Sequence, residues 1–185
     1  MLTYKCFTQQ RVNEFDYSIF PIQKDDVELI RVWRNNQMNV LRQKKSIGKK
    51  DQEKYFIKNI WCNLDSDYPP QILMGLYFKD NLIGYGGLVH ISWEDKRAEV
   101  SFLLNPERME NFELYKKDFT HYLSLIKNLS LKQLKLNKLF SETYAFRERH
   151  ISILEESGFK KEGIMKEHII LNGRPIDSII HGIIL

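Results

Sequence analysis

Apolar positions in this chain recur at distinct spacings, and each spacing predicts an element. Phe112, Tyr115, Phe119, Tyr122, Ile126 and Leu129 follow one another at steps of three and four, which lines one side of a long α-helix. Val27, Ile30 and Trp33 repeat in the same way. Asp25, followed three residues later by Glu28, has the form of a capping box, so a helix is predicted from near Asp25 to just before Asn35-Asn36. Lys49 to Trp61 puts Phe56 and Ile60 on one side of a further helix, closed by the loop from Asp65 to Pro70. Arg147 to Ser157 reads as another, stopped by Gly158.

Shorter apolar runs have strand length. Ile72 to Phe78, Leu82 to Ser92 and Ala98 to Leu104 are separated by the polar turns Lys79-Asp80-Asn81 and Glu94-Asp95-Lys96, the pattern of an antiparallel meander. Tyr17 to Ile22 and Lys138 to Tyr144 read as strands, with an optional one over Leu2 to Phe7. The C-terminal part reads as a hairpin around Asn172-Gly173, a dipeptide suited to a type I′ turn. The order predicts an α+β fold: a mixed, mostly antiparallel sheet flanked by helices, in one domain over residues 1–185.

Composition narrows the class. A chain of 185 residues without a Pro/Gly/Ser-rich interruption suits one core. With 43% apolar and 28% charged residues it belongs with ordered globular chains. No segment approaches the roughly 18 apolar residues of a membrane span, and MLTYKCFTQQRVNEF lacks the form of a signal peptide, so a cytoplasmic protein without a membrane partner is expected. Cys6 and Cys62 lack CxxC spacing and read as ordinary thiols. The net charge of +4 fits an anionic small molecule. A basic stripe interleaved with aromatics is missing, and Lys132, Lys135 and Lys138 read as a solvated helix end, so nucleic acid is not expected. Five scattered histidines without HExxH predict no metal. Gly84 and Gly86-Gly87 lie inside a strand and mark a bulge or the close approach of ligand backbone.

Three stretches carry a resemblance: LIGYGGLVHISWEDKRAEVSFLLNPE, ILEESGFKKEGIMKEH and LNGRPIDSIIHGIIL. Together with the element order they resemble the GNAT class of N-acetyltransferases, in the branch that includes ribosomal-protein and amino-sugar acetyltransferases. The resemblance implies a sheet split between the third meander strand and the strand after the long helix, with acetyl-CoA as donor. Backbone N–H groups of Phe102, Leu103 and Leu104 would then face pantetheine and polarise the thioester carbonyl. The class follows this strand with a phosphate loop of pattern Gln/Arg-x-x-Gly-x-Gly/Ala, because pyrophosphate needs converging N–H donors. Arg108 matches its first position, while Asn111 and Glu113 stand at the two small ones. Asn tolerates a left-handed backbone and would preserve the turn; Glu113 adds negative charge where a phosphate is expected. Arg147 and His150 stand where this branch usually has an Asn and a Ser; Arg147 or Arg149 would clasp a phosphate, or is a surface arginine.

Acyl transfer to an amine needs a proton acceptor at the amine and a donor for the leaving thiolate. Glu99 matches the carboxylate that related enzymes place near the amine; its other reading is an outward strand residue paired with a basic neighbour. His150, with an imidazole near its ordinary pKa, would protonate or relay, or is a helix-start histidine without a role. Tyr144 would donate its O–H to the sulfur, or packs. Trp33-Arg34-Asn35 resembles a stretch of nucleotide-amino-sugar acetyltransferases, which implies an amino-sugar acceptor; a core Trp beside a solvated Arg is the alternative. A protein N-terminal or lysine acetyltransferase, and a binding module without turnover, stay open beside it. Ile179 to Leu185 offers an apolar strand for pairing with a second copy as a homodimer.

Overall fold

One face of the long helix meets one face of a single sheet in the computed structural model, which describes residues 1–185. The strands are β1 (Val12–Glu14), β2 (Tyr17–Pro21), β3 (Ile72–Phe78), β4 (Asn81–Ser92), β5 (Arg97–Leu104), β6 (Lys138–Tyr144), β7 (Lys160–Leu171) and β8 (Arg174–Ile184). The helices are α1 (Asp26–Asn36), α2 (Lys49–Tyr55), α3 (Pro106–Met109), α4 (Phe112–Lys132) and α5 (Glu148–Glu156). Strand order is β1-β2-β3-β4-β5-β6-β8-β7, antiparallel throughout except where β5 meets β6.

The helical and strand periods divide the core between the two sheet faces. On one side Tyr115, Phe119, Tyr122, Ile126 and Leu129 of α4 bury against Ile72, Met74 and Leu76, alternate residues of β3. On the other, Val27, Ile30 and Trp33 of α1 pack with Phe56, Ile60 and Leu73. Each such side chain, fully buried, contributes roughly 1.5–3 kcal/mol. The second helical segment runs on from α2 through a π turn, Phe56–Ile60, and a 3₁₀ turn, Trp61–Asn63, which aims Phe56 and Ile60 inward.

Several expectations need correcting. Leu2 to Phe7 is no strand: the Gln10 carboxamide accepts from Tyr4 N–H and donates to the Tyr4 and Phe7 carbonyls, replacing ladder bonds. The edge strand is Val12–Glu14 instead. The Asp25 capping box does not form; Asp26 accepts from Gln23 N–H, and Glu28 is drawn to Arg31 at 2.7 and 2.9 Å. Ile179 to Ile184 pairs with β6 on one side and largely with β7 on the other, so it is interior and cannot receive a second copy; the free edges are β1 and β7. The β4 glycines admit the protein's own backbone rather than a ligand's. A Cβ on Gly86 would collide with the Ser101 carbonyl and the Tyr122 hydroxyl, and one on Gly87 (φ 142°) with the Ile72 carbonyl. The β4–β5 bulge falls between Val89 and Ser92, where His90 takes φ 49°. No helix is long and apolar enough to cross a membrane.

The feature that positions the site is the split. Strands β5 and β6 pair only over Arg97↔Lys138, Ala98↔Leu139 and Glu99↔Phe140. Beyond Glu99 they part, and the edge of residues 100–104 that would face β6 has no strand partner. Rings fill the base of the gap: Phe102 stacks on Phe119 at 4.6 Å, and Phe119 on His150 at 4.3 Å.

Candidate active site

The split opens into three cavities that share walls. The middle one, about 200 Å³, lies between the parted strands and is lined by Glu99, Ser101, Phe102, Tyr144, Arg147 and His150, among others. Arg147 and His150 also line an outer cavity of about 390 Å³ beside Phe112 and Arg149. Arg34, Ser101 and Phe102 also line an inner, mostly apolar cavity of about 310 Å³ under α1 and α2.

Glu99 is the last residue of β5 still paired with β6, which puts its carboxylate at the apex of the split with only 10% of the side chain exposed. Arg42 bridges it to Glu142 of β6, at 2.9 Å from Glu99 and 2.7 Å from Glu142. Burial weakens the Arg42 charge, but the two carboxylates outweigh that and hold its pKa above the ordinary value. His90 approaches Glu99 at 3.7 Å and His168 approaches Glu142 at 3.8 Å. Sequence reasoning missed Arg42 and Glu142. Glu142 was legible as a carboxylate on the strand across the predicted split; Arg42 lies in a loop without periodicity.

His150 departs from its expected role. It is buried, and burial, followed by the charges of Arg147 and His181, pushes its pKa well below the ordinary imidazole value. The ring is therefore neutral at working pH and no donor in its charged form. Nδ1 lies 2.5 Å from the Tyr115 hydroxyl and 3.4 Å from Arg147 Nη2, both donors, so Nδ1 accepts and Nε2 carries the proton. A pH–rate profile should show no limb near pH 6.5 that His150→Ala removes. Stability has the opposite sensitivity: with the folded pKa depressed, the unfolded chain binds the extra proton first. Unfolding free energy should thus fall as pH drops below about 6.5 toward the folded pKa, and denaturant titrations of the wild type and His150→Ala should show a shallower fall in the variant.

Tyr144, at the end of β6, keeps its proton: burial raises its pKa, Glu142 adds to this, and Arg42 and Arg147 oppose it. Its O–H is available as a donor in the cavity of Glu99. Arg147 lies at the junction of the middle and outer cavities with no carboxylate partner, and burial lowers its pKa.

The other predicted donor-site residues divide. Phe102 lines the cavity, Leu103 is buried in the α1-side core, and the Leu104 carbonyl accepts from Gln37 Nε2 at 2.9 Å. Arg108 is not free for a phosphate: it donates through Nε and Nη2 to the fully buried Asp118 at 2.7 and 2.9 Å. Asn111 is not left-handed. With φ −93° and ψ 110° it is the N-cap of α4 and accepts from Leu114 N–H, so residues 105–111 form a helical turn and a cap. Glu113 is exposed on the first turn of α4, and Lys116 is occupied by Glu156 at 2.6 Å.

Of the acceptor-site residues, Trp33 is a core side chain, 4% exposed, and cannot stack on a ligand. Asn35 fastens the loop after α1, accepting from Ile47 N–H and Gln43 and donating to the Ile47 carbonyl. Arg34 alone reaches the cavities, donating to the Tyr85 hydroxyl at 2.7 Å and to Gln43 at 3.1 Å.

A sheet parted between two parallel strands, with a carboxylate on one lip and a protonated phenol on the other, leaves a cleft in which an extended ligand can lie against a second molecule. Residues 19–180 match the Acetyltransferase (GNAT) domain, and the chain belongs to that family, whose members draw on acetyl-CoA. An uncharacterized N-acetyltransferase of Bacillus subtilis (strain 168), YoaA, is 24% identical over 103 residues, 56% of this chain; the match spans 55%, about half, of that protein's length. The spermidine N-acetyltransferase from Vibrio cholerae, solved in complex with CoA and spermine, superposes with a TM-score of 0.79 at 21% identity, covering 92% of this chain and 96% of that one. Its dodecameric structure in an intermediate state gives 0.72 at 19% identity, covering 92% and 95%. At such identities the likeness is one of fold.

Proposed function

We propose that this protein is an N-acetyltransferase that moves acetyl directly from acetyl-CoA to the primary amine of a small molecule. The observation that carries the reading is the placement of Glu99 and Tyr144 on opposite lips of the split, lining one cavity. The acceptor ammonium must lose protons as the new N–C bond forms, and Glu99 can receive one directly or through water. The C–S bond breaks, the departing sulfur takes a proton from the Tyr144 O–H, and the second proton shed by the nitrogen restores the phenol through water. The unpartnered edge of residues 100–104 offers backbone N–H groups for the thioester carbonyl. The chain fits the donor despite its altered loop, because Arg147, without a carboxylate partner, supplies positive charge between the middle and outer cavities.

Supports for the acceptor are narrower. The amino-sugar reading rests on Arg34 alone, since Trp33 is buried and Asn35 is occupied. A protein acceptor would need an open groove between the first helices and the terminal hairpin. Lys44, bonded to the Ile170 carbonyl at 3.3 Å, crosses that groove beside Arg42, which spans the mouth of the split to Glu99 and Glu142, and together they favour a small molecule.

Calorimetric titration with acetyl-CoA tests the donor half. Micromolar binding is expected, with Arg147→Gln weakening it about tenfold or more, the scale of a charge-assisted hydrogen bond. Failure to bind at millimolar acetyl-CoA would leave a GNAT-like binding module without turnover.

A further inference from the structure

The inner cavity carries charge that nothing in the protein balances. Its walls are mostly apolar, with Ile30, Leu41, Ile47, Phe56 and Leu73 among them. Into this surface project two polar groups with capacity to spare. The Arg34 guanidinium has only the neutral partners Tyr85 and Gln43 and no carboxylate within ion-pair distance. The arginines elsewhere are mostly matched: Arg31 with Glu28, Arg42 with Glu99 and Glu142, Arg108 with Asp118. Gln52 is the second group. Its side chain is buried at 3% exposure and lines the cavity, yet its carboxamide makes no hydrogen bond within the protein. Its polar atoms are not among the sealed, unpartnered ones of the protein, so they face the cavity with hydrogen-bonding capacity to spare.

Position adds to chemistry. Arg34 lines both the inner cavity and the one that holds Glu99, so a group bound to Arg34 stays near the proton acceptor. The Tyr85 hydroxyl is already turned onto Arg34, and burial raises its pKa against the pull of that guanidinium, so it remains a neutral phenol. The cavity therefore presents positive charge and amide hydrogen-bonding capacity amid hydrocarbon. The carboxylate pair at the apex is bridged by Arg42. A polycation reaching into the inner cavity would meet the unbalanced charge of Arg34.

We infer that the acceptor is an amine that also carries a carboxylate and an apolar body, an amino-acid-like zwitterion, with the carboxylate held by Arg34 and Gln52 and the body in the inner cavity. The inference rests on the N-acetyltransferase reading for the amine's fate but not for its binding. The amine faces Glu99, and Arg42 swings from Glu99 to Glu142 alone as the ammonium arrives.

Matched amines test it. The full chain is titrated calorimetrically with L-phenylalanine and 2-phenylethylamine, with L-leucine and 3-methylbutylamine, and with spermidine; acetyl transfer is then measured with the same five. Within each pair only the carboxylate differs. The amino acid should bind about tenfold more tightly than its decarboxylated partner, as one charge-assisted contact implies, and spermidine more weakly than either amino acid. Arg34→Gln should erase the preference and Arg34→Lys retain part of it. Gln52→Leu, whose side chain makes no internal hydrogen bond, should reduce the ratio of amino-acid to decarboxylated-amine affinity, a readout that survives if Arg34→Gln does not fold. Equal affinity within the pairs, tighter binding of spermidine, or no binding of any amine overturns the zwitterion assignment. Amino-acid binding without acetyl transfer supports the site and counts against the enzymatic reading; transfer to spermidine or to the decarboxylated amines as efficient as to the amino acids does the reverse.

Discussion

Glu99→Gln lowers kcat by about a hundredfold or more and leaves acetyl-CoA affinity close to that of the wild type. The size follows from what general acid–base groups contribute, roughly 10²–10⁴-fold. The selectivity follows from geometry. Glu99 stands at the apex of the split, on the lip opposite Tyr144, while the donor's charge would be met at the other end of the cavity by Arg147. The amide is nearly isosteric and leaves Arg42 its bond to Glu142, so the apex keeps its shape. Steady-state kinetics beside donor calorimetry separate the two effects. An equal loss of acetyl-CoA binding would remove the case for a base and return Glu99 to an ion-pair partner of Arg42.

Asp118→Ala is expected to cost about 3–5 kcal/mol of unfolding free energy, the range for breaking a buried ion pair from one side. Asp118 is fully buried on α4 and accepts three hydrogen bonds: from Tyr17 at 2.8 Å and from Arg108 at 2.7 and 2.9 Å. Removing it strands a guanidinium that is itself only 21% exposed, together with a buried phenol. Domains of this kind are stable by about 5–15 kcal/mol, so the loss is a large fraction of the whole. Urea denaturation of Asp118→Ala, Arg108→Gln and the double variant gives the coupling, and the double variant should lose less than the sum of the singles. A cost below about 1 kcal/mol for Asp118→Ala, within the range of exposed pairs, would free Arg108 for the phosphate role that its place in the sequence suggested.

The Arg108 pair illustrates what the chain discloses by pattern and what it does not. Periodicity placed the meander, the long helix and the terminal hairpin, because burial on one face forces the spacing and Lys79, Asp80, Asn172 and Gly173 take the positive φ their turns require. The split followed from the resemblance. Side-chain partnership was not legible. Trp33, Arg34 and Asn35 are consecutive, yet a helix turns successive residues about 100° apart, and one went to the core, one to the cavity and one to a loop. His150 was expected to titrate in the ordinary range because nothing local shows that Phe119, Tyr115 and Arg147 close around it. Arg42 was invisible for the converse reason, since its partners lie 57 and 100 residues away along the chain.

The crossing made by Arg42 and Lys44 has a consequence for traffic into the cavities. Lys44 is exposed and its tie holds with about 1 kcal/mol or less, whereas Arg42, 52% exposed, is held by two carboxylates that are only 10% and 12% exposed. Thermal motion undoes the Lys44 tie readily and the Arg42 ties less often, so the strap holds back a polypeptide while yielding to small molecules without choosing among them. Discrimination among small amines must then fall to the chamber behind it, and under the proposed function an unsuitable amine is rejected after entry, by leaving sooner than acetyl can be passed to it.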